Sequence, residues 1–359
     1  MADPIDTPLT RLLGCRYPIV QTAMGWVATP PLVIATSNAG AFGFLAAAVM
    51  TPDEARAAIA EVRAGTDKPF GVNFHSFQPG AAEIVEAILE NAAQIRAVSF
   101  GRGPDAKMIA RFKEAGILCM PTIGAAKHAQ KMVQMGVDMV TVQGGEGGGH
   151  TGSVPTTILL PQVLDAVQVP VIAAGGFGDG RGLAAALAFG AAGIAMGTRF
   201  LMTQESAPPD NVKARYVKAG TDDITVSTKV DGLPQRMIRN QALDRIERSS
   251  GIGLWRRAVE SGLQMKRQTK ASYGDLLKAA KGMTSHGGLS LPQAMMAAAA
   301  PMMIQRAVVD GDADGGLMAT GVVAGRLGDL PTCAELIETI MTDAHQRLAA
   351  LAPLSSGAR

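Results

Sequence analysis

At 359 residues the chain has room for one large α/β domain or two ordinary ones. Hydrophobic residues make up 47% and charged residues 18%, a balance that suits a globular chain with strands buried on both faces and excludes a disordered one. A net charge of only +2, with 4% aromatics and no basic tract interleaved with Phe or Tyr, sets aside nucleic acid as a partner.

The opening residues, Met-Ala-Asp-Pro-Ile-Asp, carry acids where a secretory leader needs a basic start and an apolar run. Cys15, Cys119 and Cys333 are odd in number and far apart. They fit neither a disulfide frame nor a metal-ligand spacing and read as reduced thiols. A cytoplasmic protein is expected.

From Pro18 onward, short apolar runs alternate with Ala-rich amphipathic stretches, the pattern of repeated βα units. Strands are predicted at Pro18–Thr22, Phe42–Ala46, Pro69–Asn73, Ile95–Phe100, Ile117–Thr122, Met139–Gln143, Pro170–Ala174 and Gly193–Gly197. Helices are predicted between them, at Pro52–Gly65, Ala81–Asn91, Asp105–Ala115, Ala125–Met135, Ile158–Ala166 and Gly180–Phe189. The first of these has a strong start: Thr51 as N-cap, Pro52 at the first helical position, and Asp53 and Glu54 in the first turn. Eight strands with interleaved helices predict an α/β fold of the closed (β/α)8 TIM-barrel type, typically ~250 residues, in preference to an open doubly wound sheet. The uncharged stretch Gly182–Thr198 is glycine-broken and shorter than the ~20 residues that span a bilayer, so no membrane segment is expected.

After Arg199 the rhythm stops. Between Lys213 and Lys281 stand fifteen Lys/Arg and seven Asp/Glu, an excess of eight in a chain whose total is +2. The expected division is a barrel over 1–212, a basic, mainly helical insertion or lid over 213–290, and C-terminal helices over 291–359 that pack back on the barrel, with Pro331–Leu351 as the last helix. The insertion reads either as a solvated lid or as a site for an anionic ligand.

In such a barrel the working groups sit on the loops after the strands. Three loops carry motifs. After the sixth strand, Gln143-Gly-Gly-Glu-Gly-Gly-Gly-His-Thr-Gly152 surrounds Glu146 and His150 with glycines, which allow close backbone approach to a ligand and leave His150 as the candidate acid/base. After the seventh, Ala173-Ala-Gly-Gly-Phe-Gly-Asp-Gly-Arg-Gly182 leads into a helix. After the eighth comes Ala195-Met-Gly-Thr-Arg-Phe200. The last two together predict a phosphate site at Gly175, Gly176, Gly197 and Thr198. There is no G-x-S-x-G, Walker A or HExxH sequence, and His75, His128, His286 and His345 are scattered, so no metal is expected.

The motifs Pro18-Ile-Val-Gln-Thr-Ala-Met-Gly25, Lys68-Pro-Phe-Gly-Val-Asn73, Gly144–Gly152, Val171-Ile-Ala-Ala-Gly-Gly176 and Met196-Gly-Thr-Arg-Phe200 resemble, in order, those of the nitronate monooxygenase (2-nitropropane dioxygenase) family of FMN-dependent barrels. The resemblance implies FMN over the barrel mouth, contacted by Thr22, Ala23, Met24, Asn73, Gln143 and Gly148, its phosphate on Gly175, Gly176, Gly197 and Thr198, and His150 in the catalytic histidine position. A narrower resemblance, through Thr228-Lys-Val-Asp-Gly-Leu-Pro-Gln-Arg236 and Asp329-Leu-Pro-Thr-Cys-Ala-Glu-Leu-Ile-Glu338, is to the branch acting on CoA thioesters in steroid ring C/D degradation. It implies a dehydrogenase of a hydroxylated, ring-derived CoA thioester. Two other activities stay open on the family resemblance and the fold: a nitronate monooxygenase using O2, and an enoyl reductase-like flavoenzyme. The first strand also departs from the broader family, which has a proline where Ala23 stands, and this bears on the substrate. A small-molecule substrate is expected throughout, and oligomerisation is left open.

Overall fold

In the computed structural model, which describes residues 2–76, 78–101, 106–249 and 291–356, the apolar runs become parallel strands. They are β1 (Ile19–Gln21), β2 (Phe42–Ala46), β3 (Phe70–Phe74), β4 (Ile95–Phe100), β5 (Leu118–Cys119), β6 (Thr122–Ile123), β7 (Val140–Gln143), β9 (Val171–Ala174) and β10 (Gly193–Met196); a two-residue strand, β8 (Gly149–His150), belongs to a different sheet. The order is β5-β4-β3-β2-β1-β10-β9-β7-β6.

The two ends of that order are one predicted strand. Ile117–Thr122 is interrupted at Pro121, which has no N–H for a ladder. Its first half pairs with β4, where Met120 N donates to Val98 O at 2.9 Å. Its second half pairs with β7, where Thr141 N donates to Pro121 O at 2.9 Å. One segment therefore joins both edges and closes the sheet, so the eight predicted strands form a barrel whose fifth is split in two.

The chain divides into two compact units, Met1–Gly147 with Gly152–Ala207 and Leu327–Arg359, and Gly148–Thr151 with Pro208–Arg326. The first is the barrel. Helix Pro8–Leu13 lends Leu9 and Leu13, both fully buried, to a cluster with Val20, Phe42, Phe44, Met120, Met139 and Ile172 from the strands. Each such leucine is worth roughly 1.5–3 kcal/mol of burial. Helix Pro52–Gly65 has the predicted bounds because Thr51 and Glu54 cap each other's backbone, Glu54 N to Thr51 Oγ1 at 3.3 Å and Thr51 N to Glu54 Oε2 at 2.8 Å. The final helix, Cys333–Ser356, packs along helix Gly180–Phe189, and it can do so because residue 180 lacks a side chain. A Cβ there would stand 2.4 Å from Ile340 O. Just before that helix, Asp329 accepts from the buried guanidinium of Arg199 at 2.7 Å.

The second unit interrupts the barrel sequence between β10 and the final helix. Its described residues include strands as well as helix. Strands β11 (Ile224–Ser227) and β12 (Gln235–Ile238) form an antiparallel pair, and the other edge of β12 is shared by β13 (Met318–Ala319) and β8. The Asp-Gly turn between β11 and β12 supplied a hairpin signal that the excess of basic residues obscured. Helix Leu291–Val308 falls in this unit, not in the barrel: Ala300, Met303 and Ile304 join Val230, Met237, Ala242, Leu243, Ile246 and Leu317 in its core. Ion pairs run through the described part of the basic segment. Arg215 faces Asp314, Lys229 faces Glu247 and Arg239 faces Asp244. The rest, 250–290, lies outside the described residues. Among those described, no helix is long and apolar enough to cross a membrane.

Candidate active site

In a closed parallel barrel every strand C-terminus opens at one end, and the predicted cofactor residues of the first unit stand there. Thr22 N donates to Met196 O at 3.1 Å, tying the end of β1 to that of β10. A Cβ on Gly197 would stand 3.1 Å from Thr22 Oγ1 and 3.4 Å from Met24 Sδ, so the two loops approach closely enough to leave little room for a side chain there. Asn73, at the end of β3, donates from Nδ2 to Ser99 O at 3.1 Å. Thr22, Ala23, Met24, Asn73 and Gln143 are all half-buried, which leaves part of each open at the mouth.

The loops after β7 and β9 are locked together by a carboxylate. Glu146 accepts from Thr156 N at 2.9 Å and from Thr156 Oγ1 at 2.7 Å, capping helix Thr156–Leu164; Thr156 Oγ1 also lies 3.0 Å from Gly175 O. The glycines permit this closeness. A Cβ on Gly144 would collide with Thr156 Oγ1 at 2.0 Å, and one on Gly147 with Gln143 Nε2 at 2.5 Å. Gly175 and Gly176 are both left-handed, with φ of +91° and +87°, and the backbone of Gly176 is exposed. A pair of left-handed glycines, the second of them exposed, at the end of the strand next to β10 with its Gly197 and Thr198 suits the phosphate of a nucleotide-like cofactor.

In the second unit, antiparallel pairing of β8 with β12 sets His150 opposite Gln235. Asp231 lies four residues before Gln235, across a turn in which Gly232 has φ +84°. Its Oδ2 is 2.6 Å from His150 Nε2 and 2.6 Å from Gln235 Nε2, while Oδ1 accepts from Leu233 N at 3.1 Å. The imidazole is 56% exposed and the carboxylate 8%, so an accessible ring is held from below by a buried anion. Burial opposes ionisation of Asp231, but the hydrogen bond and charge of His150, with the Leu233 amide and Gln235, hold its carboxyl below the ordinary range. Such a pair fixes the tautomer and orientation of a histidine and stabilises its protonated form.

Asp231 and Gln235 did not enter the sequence-based candidate set. Both stand in the stretch Thr228–Arg236, so a signal existed, but nothing in the spacing ties it to His150. Gly148 packs within the second unit: a Cβ there would lie 2.4 Å from Thr320 C.

A sequence profile described as nitronate monooxygenase matches residues 6–97 and 82–343. The chain belongs to the nitronate monooxygenase family. Membership makes it an oxidoreductase of a flavin-dependent family with a small-molecule substrate. Within that family the chain is 50% identical, over 96% of its length and 97% of the relative's, to the (3aS,4S,5R,7aS)-5-hydroxy-7a-methyl-1-oxo-octahydro-1H-indene-4-carboxyl-CoA dehydrogenase of Mycobacterium tuberculosis. It is 48% identical to the protein of the same name from Rhodococcus jostii, over 98% and 99%. A probable nitronate monooxygenase of Staphylococcus saprophyticus is 31% identical over 67% of this chain and 81% of its own. Among solved structures, FabK from Thermotoga maritima superposes with a TM-score of 0.77 at 32% identity, covering 98% of this chain and 99% of that one.

Proposed function

We propose that this family member is an FMN-dependent dehydrogenase of a ring-derived β-hydroxyacyl-CoA thioester of the steroid-degradation type. What carries the reading is identity of about one residue in two along nearly the whole length of two dehydrogenases whose name sets a hydroxyl on the ring carbon beside the one bearing the CoA thioester.

Thr22, Ala23, Met24, Asn73, Gln143 and Gly148 are the residues assigned to the flavin, with Gly175, Gly176, Gly197 and Thr198 at its phosphate. The left-handed glycines and the half-buried mouth residues of the first unit suit that group. FMN, when bound, supplies an acceptor for the hydride that leaves the carbinol carbon.

His150 is the base. With Nε2 engaged by Asp231, the proton of the substrate hydroxyl passes to Nδ1, and the resulting imidazolium lies against an anion already ionised. Loss of that proton makes the oxygen able to collapse to a carbonyl, giving a β-keto thioester.

The test is anaerobic addition of a 5-hydroxy-hydrindane carboxyl-CoA thioester to purified protein, followed by its visible flavin band. Bleaching by the thioester, abolished in His150→Ala with the flavin still bound, is expected. A protein without a flavin band, or one whose band is indifferent to the thioester, overturns the proposal.

Family membership favours a second reading, oxidation of nitronates with O2. It predicts turnover of a neutral nitroalkane that requires His150, whereas a preformed nitronate needs no base.

A further inference from the structure

Among the described residues, Trp26 is the non-glycine residue with positive φ, at +60°. The left-handed region crowds a side chain against its own backbone, and for a bulky residue it is a genuine outlier costing on the order of 1–3 kcal/mol. Such a conformation persists only where its surroundings enforce it.

The enforcement is visible on both sides. Val27 N and Ala28 N both donate to Met24 O, at 3.0 and 2.9 Å, folding residues 24–28 into a tight turn. Ala46 N donates to Ala28 O at 3.0 Å, pinning the turn to the end of β2, and Val27 and Ala28 are buried. Gly25 leaves no slack, since a Cβ there would stand 2.9 Å from Val49 Cγ1. Any glycine or asparagine would relieve the strain at position 26. A tryptophan occupies it instead, and its side chain is half-buried rather than sunk in the core.

The turn follows β1 directly, at the barrel end where Thr22 and Met24 meet Gly197. Apart from Met24, the other residues assigned to this mouth are small or polar, whereas a fused carbocycle requires a broad apolar surface. We infer that Trp26 is a specificity-determining residue, its indole forming the apolar wall against the carbocyclic acyl portion of the substrate. The inference rests on the proposed dehydrogenase reading. On this reading Trp26 discriminates by ring and not by thioester.

Two variants test it, Trp26→Gly, which relieves the strain, and Trp26→Phe, which keeps an aromatic surface. The readouts are KM and kcat for the hydrindane thioester, the inhibition constant of ring-free 3-hydroxybutyryl-CoA, and the melting temperature. Trp26→Gly is expected to raise KM for the ring thioester by about tenfold or more, from the loss of apolar contact. The loss should fall mainly on KM, with the inhibition constant of the ring-free thioester within about twofold of wild type and the melting temperature no lower. Trp26→Phe should recover most of the affinity. An unchanged KM in Trp26→Gly, or equal weakening of both ligands, overturns the inference while leaving the dehydrogenase reading intact. Wild-type protein that does not turn over the ring thioester sinks that reading, and the inference with it.

Discussion

Asp231 and His150, 81 positions apart in sequence, meet with Oδ2 2.6 Å from Nε2, and Gln235 donates to the same carboxylate oxygen at 2.6 Å. The register of β8 against β12 makes this contact, and the Asp-Gly turn aims the acid. A base that must take a proton and hold the resulting charge gains most from such a buried anion.

Replacing Asp231 by Asn keeps the shape and removes the charge. We expect kcat to fall ~10²–10⁴-fold with little change in KM, because orientation and charge stabilisation of the imidazolium are lost together. Gln235→Leu should cost less, since it leaves the carboxylate in place. Steady-state kinetics on both variants decide the point; equal kcat in wild type and Asp231→Asn would remove the dyad from the mechanism.

The same carboxylate gives a pH dependence of stability. Its folded pKa lies below the ordinary value of 3.8, so its contribution is full above that value and is lost as the pH falls through the folded one. Melting curves of wild type and Asp231→Asn should therefore differ at pH 5 and converge below about 3.8. Divergence on acidification would contradict an ionised Asp231.

Glu146 is a positioning residue for the glycine loops. Removing it leaves Thr156 N and Oγ1 without that acceptor and frees the loop that meets Gly175. Glu146→Ala should weaken flavin retention by roughly 5–150-fold, corresponding to about 1–3 kcal/mol for an unsatisfied buried donor. Equilibrium dialysis of FMN measures it directly. Thr156→Val should lie between the variant and wild type.

Burial pushes the thiols of Cys15, Cys119 and Cys333 up to about 12. All three are free, and the thiolate is the reactive form. At pH 8 the native protein should react with a thiol-specific reagent about a thousandfold more slowly than an exposed cysteine, with three equivalents appearing on denaturation. Rapid labelling of the native chain would contradict it.

Local signals carried much of this protein. The mutual capping of Thr51 and Glu54 fixes a helix whatever lies beyond it, and glycine runs after short apolar strands announce loops that approach a ligand. His150 stood out because so few residue types can serve as a base beside such glycines. Other features depend on registers that no local pattern encodes. Pro121 splits the fifth strand, but which half pairs with β4 and which with β7 is settled only when the sheet closes. Helix Leu291–Val308 has an apolar pattern compatible with either unit, and its placement follows from the volume that Val230, Met237 and Leu243 leave to be filled. The partner of His150 is likewise a tertiary fact: Asp231 comes within hydrogen-bond reach only when the pairing of β8 with β12 brings the two segments together.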